Sequence, residues 1–247
     1  MDKPPSYQSL GTAPDEPPLY SSLDVSDFKE DKYRKSFITK VYTILMVQLS
    51  VTALVAGLFM NNASINEWVN ANMNEIYIPL IIILFILIIM IGCIGTLRKT
   101  APWNYIILAL VTLLMSFLVG FAAAQHQTNI VLMAALFTIG ITLSLTIFAW
   151  SSKYDFTSWH PYMFVILVVV ILFGIIGGIF HDQIVNVAYS ALIALIFSIY
   201  LVIDTQSIIG GNHRYQFAPD EYIIGALALY LDIINIFLAL LGLSDSK

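Results

Sequence analysis

The sequence predicts an all-α membrane protein built as a bundle of seven transmembrane helices. Of its 247 residues, 59% are hydrophobic and only 11% are charged, whereas a typical soluble domain is about 25% charged. The charges are also unevenly placed, because residues 1–40 carry 13 of the 27 charged side chains. Residues 41–247 carry too few charges to form a surface that faces water, and they lack the basic face of a nucleic-acid-binding protein. The composition therefore excludes a soluble globular protein and a nucleic-acid binder.

Seven apolar runs are each long enough to cross a bilayer, which takes about 20 mostly apolar residues. They cover approximately residues 37–60, 77–97, 103–124, 130–150, 161–180, 187–209 and 222–243. Most of the connections are short, so we expect consecutive spans to run antiparallel. Only the connection 61–76 is long enough to hold a surface element.

Lysine and arginine predict the orientation of these spans, because cytoplasmic loops are enriched in both. The segment up to Lys40 carries six of the 11 basic residues, and the second, fourth and sixth loops carry Arg98 with Lys99, Lys153 and Arg214. The first, third and fifth loops carry none. We therefore expect the N-terminus in the cytosol and, after seven spans, a lumenal or extracellular C-terminus. A re-entrant seventh run would instead return the C-terminus to the cytosol.

The chain divides into a polar tail, residues 1–33, and a membrane domain, residues 34–247. The tail is rich in Pro, Ser, Asp and Tyr and lacks apolar periodicity, so it is expected to be disordered. Within it the pattern PPxYxSL occurs twice. The residues of the two PPxY motifs are Pro4, Pro5 and Tyr7, and Pro17, Pro18 and Tyr20.

The doubled motif favours a docking role for the tail. Paired prolines favour the polyproline II conformation, which the aromatic-lined grooves of WW-type domains bind at a low entropic cost. Two copies also raise avidity. Each copy contains Tyr-x-x-Leu, which resembles endocytic and lysosomal sorting signals. Docking of WW-domain proteins and sorting are therefore the two functional interpretations, and a plain linker is the alternative.

Two aspartates lie deep within predicted spans, Asp204 in the sixth and Asp232 in the seventh. Inserting an aspartate at the centre of a span costs about 2.5–3.5 kcal/mol, and such residues usually face the bundle interior and mark paths for ions or protons. Because these spans are antiparallel and side chains tilt towards the N-terminus of their own helix, the two carboxyls approach each other in depth. We expect them to meet and to titrate as a pair. Alternatively, each carboxyl bonds separately to a neighbouring helix.

Three further residues are candidates for the same site. Helical spacing places Tyr200 on the face of Asp204 and Asn235 on the face of Asp232, where both could support a pore. Arg98, at the cytosolic end of the second span, could extend inward and pair with a carboxylate, although anchoring at the membrane surface is the alternative. Calcium takes about 6–8 oxygen ligands, so two aspartates would bind it only weakly and transiently.

The sequence offers no arrangement typical of a membrane enzyme. The four histidines lie in loops or at span edges on both sides of the bilayer, whereas a catalytic zinc needs several ligands at one depth. The single cysteine, Cys93, excludes a zinc site built from several cysteines. The glycine-flanked aspartate motif of membrane aspartyl proteases is missing around Asp204 and Asp232. We therefore predict neither an enzyme nor a bound cofactor.

Several motifs resemble the transmembrane Bax inhibitor motif family, over residues 34–243 and most closely its lifeguard branch. The resemblance implies a seven-helix bundle of the Bax inhibitor type. It also implies a pH-sensitive calcium leak channel or exchanger that lowers store calcium and protects against cell death. The matching segments are residues 34–42 with Leu45 and Gln48, Arg98-Lys99 with Pro102 and Asn104, and residues 154–157, 204–206, 221–222 and 229–235 with Phe237.

The resemblance further implies residue roles, partners and a location. Asp204 and Asp232 would form the pH sensor, and Arg98 would pair with one of them. The implied partners are calcium ions, the lipid bilayer and Bcl-2-type or receptor death-signalling proteins. The implied location is the membrane of the endoplasmic reticulum, the Golgi or an endolysosomal or vacuolar compartment. A non-conducting membrane scaffold that suppresses apoptosis through protein partners is the alternative function.

Overall fold

The computed structural model describes residues 20–180, 183–211 and 213–244, and helices account for most of them. A short 3-10 helix, Phe156–Trp159, precedes α6. The α-helices are α1 (Tyr20–Asn61), α2 (Ala63–Cys93), α3 (Gly95–Lys99), α4 (Trp103–Ala124), α5 (Thr128–Ser151), α6 (His160–Phe180), α7 (Gln183–Ile209) and α8 (Tyr222–Leu243). Within the described ranges, seven of these helices are long and apolar enough to cross a membrane, which confirms the predicted fold class.

Helix α2 differs most from the prediction. The connection 61–76, expected only to be long enough for a surface element, is almost wholly helical and continues directly into the second span. Asn62 starts this helix by accepting a hydrogen bond from Ile65 N at 3.2 Å. The helix also ends earlier than the predicted second span, at Cys93, because Ile94 adopts an extended backbone (φ −96°, ψ 95°) that separates α2 from α3.

Helix α1 begins at Tyr20, ahead of the predicted boundary after residue 33. The division of the chain into a tail and a membrane domain therefore stays a prediction. Most of the doubled tail motif, namely Pro4, Pro5, Tyr7, Pro17 and Pro18, lies outside the described residues.

Helix α8 occupies the centre of the bundle. It packs most extensively against α7 and also contacts α1, α4 and α5. Of its 22 residues, 13 are buried. The peripheral helices instead expose large apolar side chains, such as Ile82 of α2, Phe137 of α5 and Val169 of α6, as expected of surfaces that face lipid. Polar groups on α8 and on the helix faces packed against it are therefore inside the bundle.

The basic side chains gather at one end of the bundle, which we call the basic end. Here α3, the starts of α4, α6 and α8 and the ends of α5 and α7 meet the connection 210–221. The basic residues at this end include Arg34, Arg98, Lys99, Lys153 and Arg214.

Candidate functional site

The carboxyl groups of Asp204 and Asp232 meet between α7 and α8. They are in side-chain hydrogen-bonding contact with one another, and the two residues are only 7% and 3% exposed. A hydrogen bond between two carboxyl groups requires that one of them carries a proton, since two adjacent carboxylates would repel each other. The structure thus brings together the two aspartates that the sequence analysis singled out, and it does so away from solvent.

A cavity of about 230 Å³ lies beside the aspartate pair. Its walls come from α2, α6, α7 and α8, and Tyr200 lines it together with the two aspartates. Asp232 Oδ2 is buried and, apart from its contact with Asp204, accepts no hydrogen bond from the residues that the structure describes. The carboxyl pair and Tyr200 are therefore the polar groups that this largely apolar cavity presents to a proton or a cation. The remaining lining residues are Ile88, Ile91, Gly92, Leu167, Phe197, Ile224, Leu227, Ala228 and Leu231.

The two predicted supporting residues have different positions. Tyr200 is buried one helical turn before Asp204 and lines the cavity. Asn235 does not line it, because its Nδ2 donates to the carbonyl of Leu231 at 2.8 Å within α8. The shared helical face proposed for Asn235 and Asp232 therefore does not bring the amide to the site.

Arg98 pairs with a carboxylate, but not with either aspartate of the pair. Its Nη2 lies 3.3 Å from Oε1 of Glu221, at the start of α8. Glu221 precedes Asp232 by 11 residues, which is about 16 Å along a helix at 1.5 Å per residue. The implied contact of Arg98 with an aspartate is thus replaced by one nearer the basic end.

Neighbouring charges reinforce this contact between α3 and the start of α8. Lys99 Nζ lies 3.0 Å from Asp220 Oδ2 and 3.6 Å from Glu221 Oε1. The hydrogen bond from Lys99 is the main reason why the pKa of Asp220 is lowered, and it likewise raises the pKa of Lys99. Glu221 Oε2 accepts from Ala218 N at 3.1 Å. Glu221 therefore uses one oxygen to hold α3 and the other to close the turn before α8.

Glu221 and Asp220 are not among the functional residues that the sequence predicts. A carboxylate beside a span is solvated by default, so neither stands out as the membrane-embedded aspartates do. The available signal was their position in the sixth loop, which the predicted topology puts on the same side as the Arg98-Lys99 pair of the second loop.

The connection 210–221 is also held by α1. Arg34 Nη1 donates to the carbonyl of Phe217 at 3.1 Å, and Nη2 donates to Gln216 Oε1 at 2.9 Å. Gly210, with φ +72°, leaves the space that the guanidinium group of Arg34 occupies. The start of the membrane domain is therefore bound directly to the connection that precedes α8.

A third contact ties the connection to the loop before α6. Asp155 accepts hydrogen bonds from Thr157 N, Thr157 Oγ1 and Arg214 N at 3.0, 2.6 and 2.9 Å, and His213 Nδ1 lies 3.3 Å from its Oδ1. Burial raises the pKa of Asp155, but these hydrogen bonds and His213 together outweigh burial and lower the pKa below its ordinary value. The charged form of Asp155 is the form that holds the connection.

Gln206 closes the end of α7. Its Oε1 accepts from Phe156 N at 2.8 Å, and its Nε2 donates to the carbonyls of Tyr154 at 2.9 Å and Ala149 at 3.4 Å. This side chain is completely buried. Together with the contacts of Arg34, Arg98 and Asp155, it binds the segments 153–159 and 210–221 into one layer, which we call the basic-end cover.

A buried polar network lies on the opposite face of α8. Thr52 Oγ1 is 2.8 Å from Tyr230 Oη and 3.0 Å from Ser116 Oγ, and Gln48 Nε2 donates to Thr112 Oγ1 at 2.9 Å. These five residues join α1, α4 and α8, and each is buried. Tyr230 and Asp232 are two residues apart on α8 and point in nearly opposite directions, so the network supports the helix that carries Asp232 without contacting the carboxyl pair.

Comparison with known proteins identifies the family of the chain. The sequence profile of the family described as "Inhibitor of apoptosis-promoting Bax1" matches residues 34–246. The protein called Protein lifeguard 3 is 34% identical in Homo sapiens and 32% identical in Mus musculus, each over 230 residues. These alignments cover 92% of this chain and 73% and 74% of the respective relative.

A plant protein shows the same relationship over a greater length. The BI1-like protein of Arabidopsis thaliana is 33% identical over 257 aligned positions, which cover 98% of this chain and 97% of the plant protein. The match to the family profile extends through all seven spans and both segments of the basic-end cover. The chain is an integral multi-pass membrane protein and belongs to the Bax inhibitor-1 family of apoptosis inhibitors, with lifeguard proteins among its relatives.

Proposed function

We propose that this protein is a pH-sensitive calcium leak channel or exchanger of an intracellular membrane, which lowers store calcium and thereby protects the cell from death. The observation that carries the proposal is the contact between Asp204 and Asp232 beside a cavity inside the bundle. Buried carboxyls within spans are costly and are typical of ion and proton pathways. A pair that shares a proton also couples any such pathway to pH.

The direction of the pathway follows from the charges. The positive-inside rule makes the basic end the cytosolic end. Asp204 lies five residues before the end of α7, about one and a half turns from that end. The basic-end cover lies between this level and the cytosol. We therefore propose that the structure is a closed state, in which the cover separates the carboxyl pair from cytosolic calcium.

The pair itself supplies the pH response. A shared proton holds α7 and α8 together at Asp204 and Asp232, and its loss leaves two carboxylates that repel each other. Tyr200 is the other titratable residue that lines the cavity, and the residues that α2 and α6 contribute are Ile88, Ile91, Gly92 and Leu167. Among the described residues, no basic side chain lines the cavity to offset the second negative charge. Deprotonation therefore favours separation of the helices or binding of a cation.

Calcium binding at this site would be weak. The two aspartates provide at most four oxygens of the six to eight that calcium takes, and Tyr200 and water would provide others. A weak site suits conduction, because an ion must leave as readily as it arrives. No resident cofactor is needed for this function.

Calcium flux in liposomes tests the proposal. Purified protein is reconstituted with a calcium-sensitive dye in the lumen, and wild type is compared with Asp204→Asn and Asp232→Asn. We expect wild type to conduct calcium and both variants to change the rate, whereas Asn235→Ala, on the same helix but outside the cavity, should match wild type. Wild-type liposomes no leakier than empty ones would contradict conduction. They would favour the alternative, a scaffold that suppresses apoptosis through Bcl-2-type or receptor death-signalling partners.

We further propose that the N-terminal tail docks WW-domain proteins on the cytosolic side. The support is the doubled PPxY pattern, in which the tyrosine fills the pocket next to the proline groove. Replacing Tyr7 and Tyr20 together with alanine should abolish capture of the full chain by an immobilised WW domain. Tyr33→Ala, in the same region but outside the motifs, should leave capture unchanged. Equal capture of the double variant would contradict docking and leave sorting as the role of the tail.

A further inference from the structure

A second cavity, of about 490 Å³, forms a groove between α1 and α4. It shares no residue with the cavity of the aspartate pair. Val47 and Leu113 on its rim are 60% and 44% exposed on the outer surface of the bundle, so the groove opens sideways towards lipid. Most of its walls are aliphatic. The lining residues are Thr43, Ile44, Val47, Gln48 and Val51 of α1, and Tyr105, Leu108, Ala109, Thr112 and Leu113 of α4.

The groove runs from the basic end towards the middle of the bundle. Tyr105 is the third residue of α4 and lies near the basic end, and Leu113 lies eight residues further along. At 1.5 Å per residue this is about 12 Å. The groove therefore has the direction of a lipid acyl chain and starts at the level of the headgroups.

Three polar groups stand at the basic end of this groove. Tyr105 Oη and Tyr222 Oη are 2.8 Å apart, and Lys40 Nζ lies 5.1 Å from the centre of the Tyr222 ring. Lys40 lies on α1 one turn before the lining residues Thr43 and Ile44, so it shares their face of the helix. Among the described residues, no carboxylate is within salt-bridge distance of Lys40, whereas Lys99 is paired with Asp220.

The chemistry of these groups favours an anion. In the pair of tyrosine hydroxyls one proton joins the two oxygens, which leaves the other O–H free to donate. The ammonium of Lys40 has three donors and a charge not neutralised by the protein. Tyrosine and lysine are also the side chains that reach from a helix to the headgroup level of a bilayer. A negatively charged oxygen here would meet both a hydroxyl donor and a cation.

We propose that the α1–α4 groove binds an anionic phospholipid of the leaflet at the basic end. One acyl chain lies along the groove, and the phosphate oxygens accept hydrogen bonds from Lys40 and the Tyr105–Tyr222 hydroxyl pair. The aliphatic walls exclude a free phosphate as the natural occupant, because such an ion would leave the groove empty. This site does not depend on calcium conduction by the aspartate pair.

Lipid retention by the purified full chain tests the site. The protein in detergent is incubated with phosphatidylserine or with phosphatidylcholine, and the bound lipid is counted by native mass spectrometry. We expect wild type to retain phosphatidylserine preferentially. Lys40→Gln should weaken this retention roughly fivefold, as expected for one basic residue near an anionic surface. Tyr105→Phe combined with Tyr222→Phe should weaken it as well.

Two further variants distinguish a specific lipid-binding site from general electrostatic attraction between the protein and anionic lipid. Lys35→Gln removes an exposed lysine five residues before Lys40 on the same helix and should leave retention unchanged. Ala109→Phe fills the groove without changing charge and should abolish retention, and an unchanged melting temperature would show that it folds. Inorganic phosphate should not compete, since it lacks an acyl chain. Equal losses in the two lysine variants, full retention by Ala109→Phe, or competition by phosphate would each overturn the proposal.

Discussion

Gly210 allows Arg34 to reach the basic-end cover. Its φ of +72° is a conformation that residues with a side chain rarely adopt, and a β-carbon here would lie 2.6 Å from Cζ of Arg34. Gly211 has a similar φ of +86°, but a β-carbon there would meet nothing within 4 Å. A side chain at position 211 would therefore introduce backbone strain alone, whereas a side chain at position 210 would also displace Arg34.

Gly210→Ala should destabilise the protein more than Gly211→Ala does. Both variants carry a strain of about 1–3 kcal/mol, but only the first moves the guanidinium group away from Phe217 and Gln216. The lost hydrogen bonds should add about 1 kcal/mol. Thermal unfolding of the two variants in the same detergent measures the difference. Equal melting temperatures would show that Arg34 does not stabilise the cover.

Single residues differ in how well the sequence predicts them. Asp204 and Asp232 can be identified from the sequence because a charged side chain within a long apolar run is costly to insert into a membrane. Such a side chain usually faces the interior of the bundle, at a functional site. Glu221 cannot be identified in this way, because a carboxylate at the end of a span is expected from the sequence alone to reach water. Asn235 was predicted from helical spacing alone, and spacing does not reveal that an amide bonds back to its own helix.

The connection 210–221 is the element that closes the basic end. Arg34, Arg98 and Asp155 each hold it from a different part of the chain. The contact between Arg98 and Glu221 is the least exposed of the ion pairs with α3, since the Glu221 side chain is only 14% exposed. The Lys99–Asp220 pair is 41% and 57% exposed and should contribute little, as surface pairs usually do.

Arg98→Ala should therefore raise the rate of calcium leak at neutral pH, because the substitution frees the start of α8 from α3. Glu221→Gln should have a similar effect, and the double variant should leak no more than either single variant, since both remove the same contact. Lys99→Ala is the comparison variant and should raise the leak less than Arg98→Ala does, because it removes the more exposed pair with Asp220 and a longer contact with Glu221. Dye-loaded liposomes measure all four rates. An Arg98→Ala rate equal to wild type would show that Arg98 only anchors the chain at the membrane surface.

Asp155 makes the stability of the basic-end cover depend on pH in the acidic range. Its pKa is lowered in the folded protein, so its contribution is present above the unfolded pKa of about 3.9 and is lost as the pH falls through the lower, folded pKa. Asp155→Asn should therefore lower the melting temperature at neutral pH, and the difference from wild type should shrink below about pH 4.

Thermal unfolding of wild type and Asp155→Asn over a pH series measures this dependence. Glu67→Gln is the control, because Glu67 is exposed on α2 away from the cover, and it should follow wild type at every pH. A constant difference between wild type and Asp155→Asn across the series would contradict a role for the charge of Asp155.

Among the elements, the spans were predicted well and their connections poorly. Hydropathy and length are enough to place a helix in a bilayer, which explains the agreement for α4 to α8. The connection 61–76 lies outside the apolar runs, but polar residues can extend a helix beyond the apolar core of a membrane, and α2 begins at Ala63. The cover joins residues 34, 98, 155 and 210–221, and contacts between such distant segments leave no local pattern.

At the scale of the whole molecule, a buried pair of aspartates lies inside a bundle whose basic end carries the basic-end cover. The seven-helix architecture follows from the length and hydropathy of the apolar runs, whereas the contacts that would hold the proposed pathway closed are revealed only by the structure. We propose that the Asp204–Asp232 pair makes the passage of calcium depend on pH. The cover and the pair are separate in position, so variants of each should have separable effects.

Calcium flux as a function of pH tests this claim most directly. Liposomes with wild type, Asp204→Asn, Asp232→Asn or the double variant are compared from roughly pH 5 to pH 8, where a pair that shares one proton responds as a unit. Wild type should show a pH-dependent rate. Each single variant should flatten that dependence, and the double variant should flatten it no further. Variants that keep the full pH profile of wild type would contradict the account and place the pH-sensitive element elsewhere in the molecule.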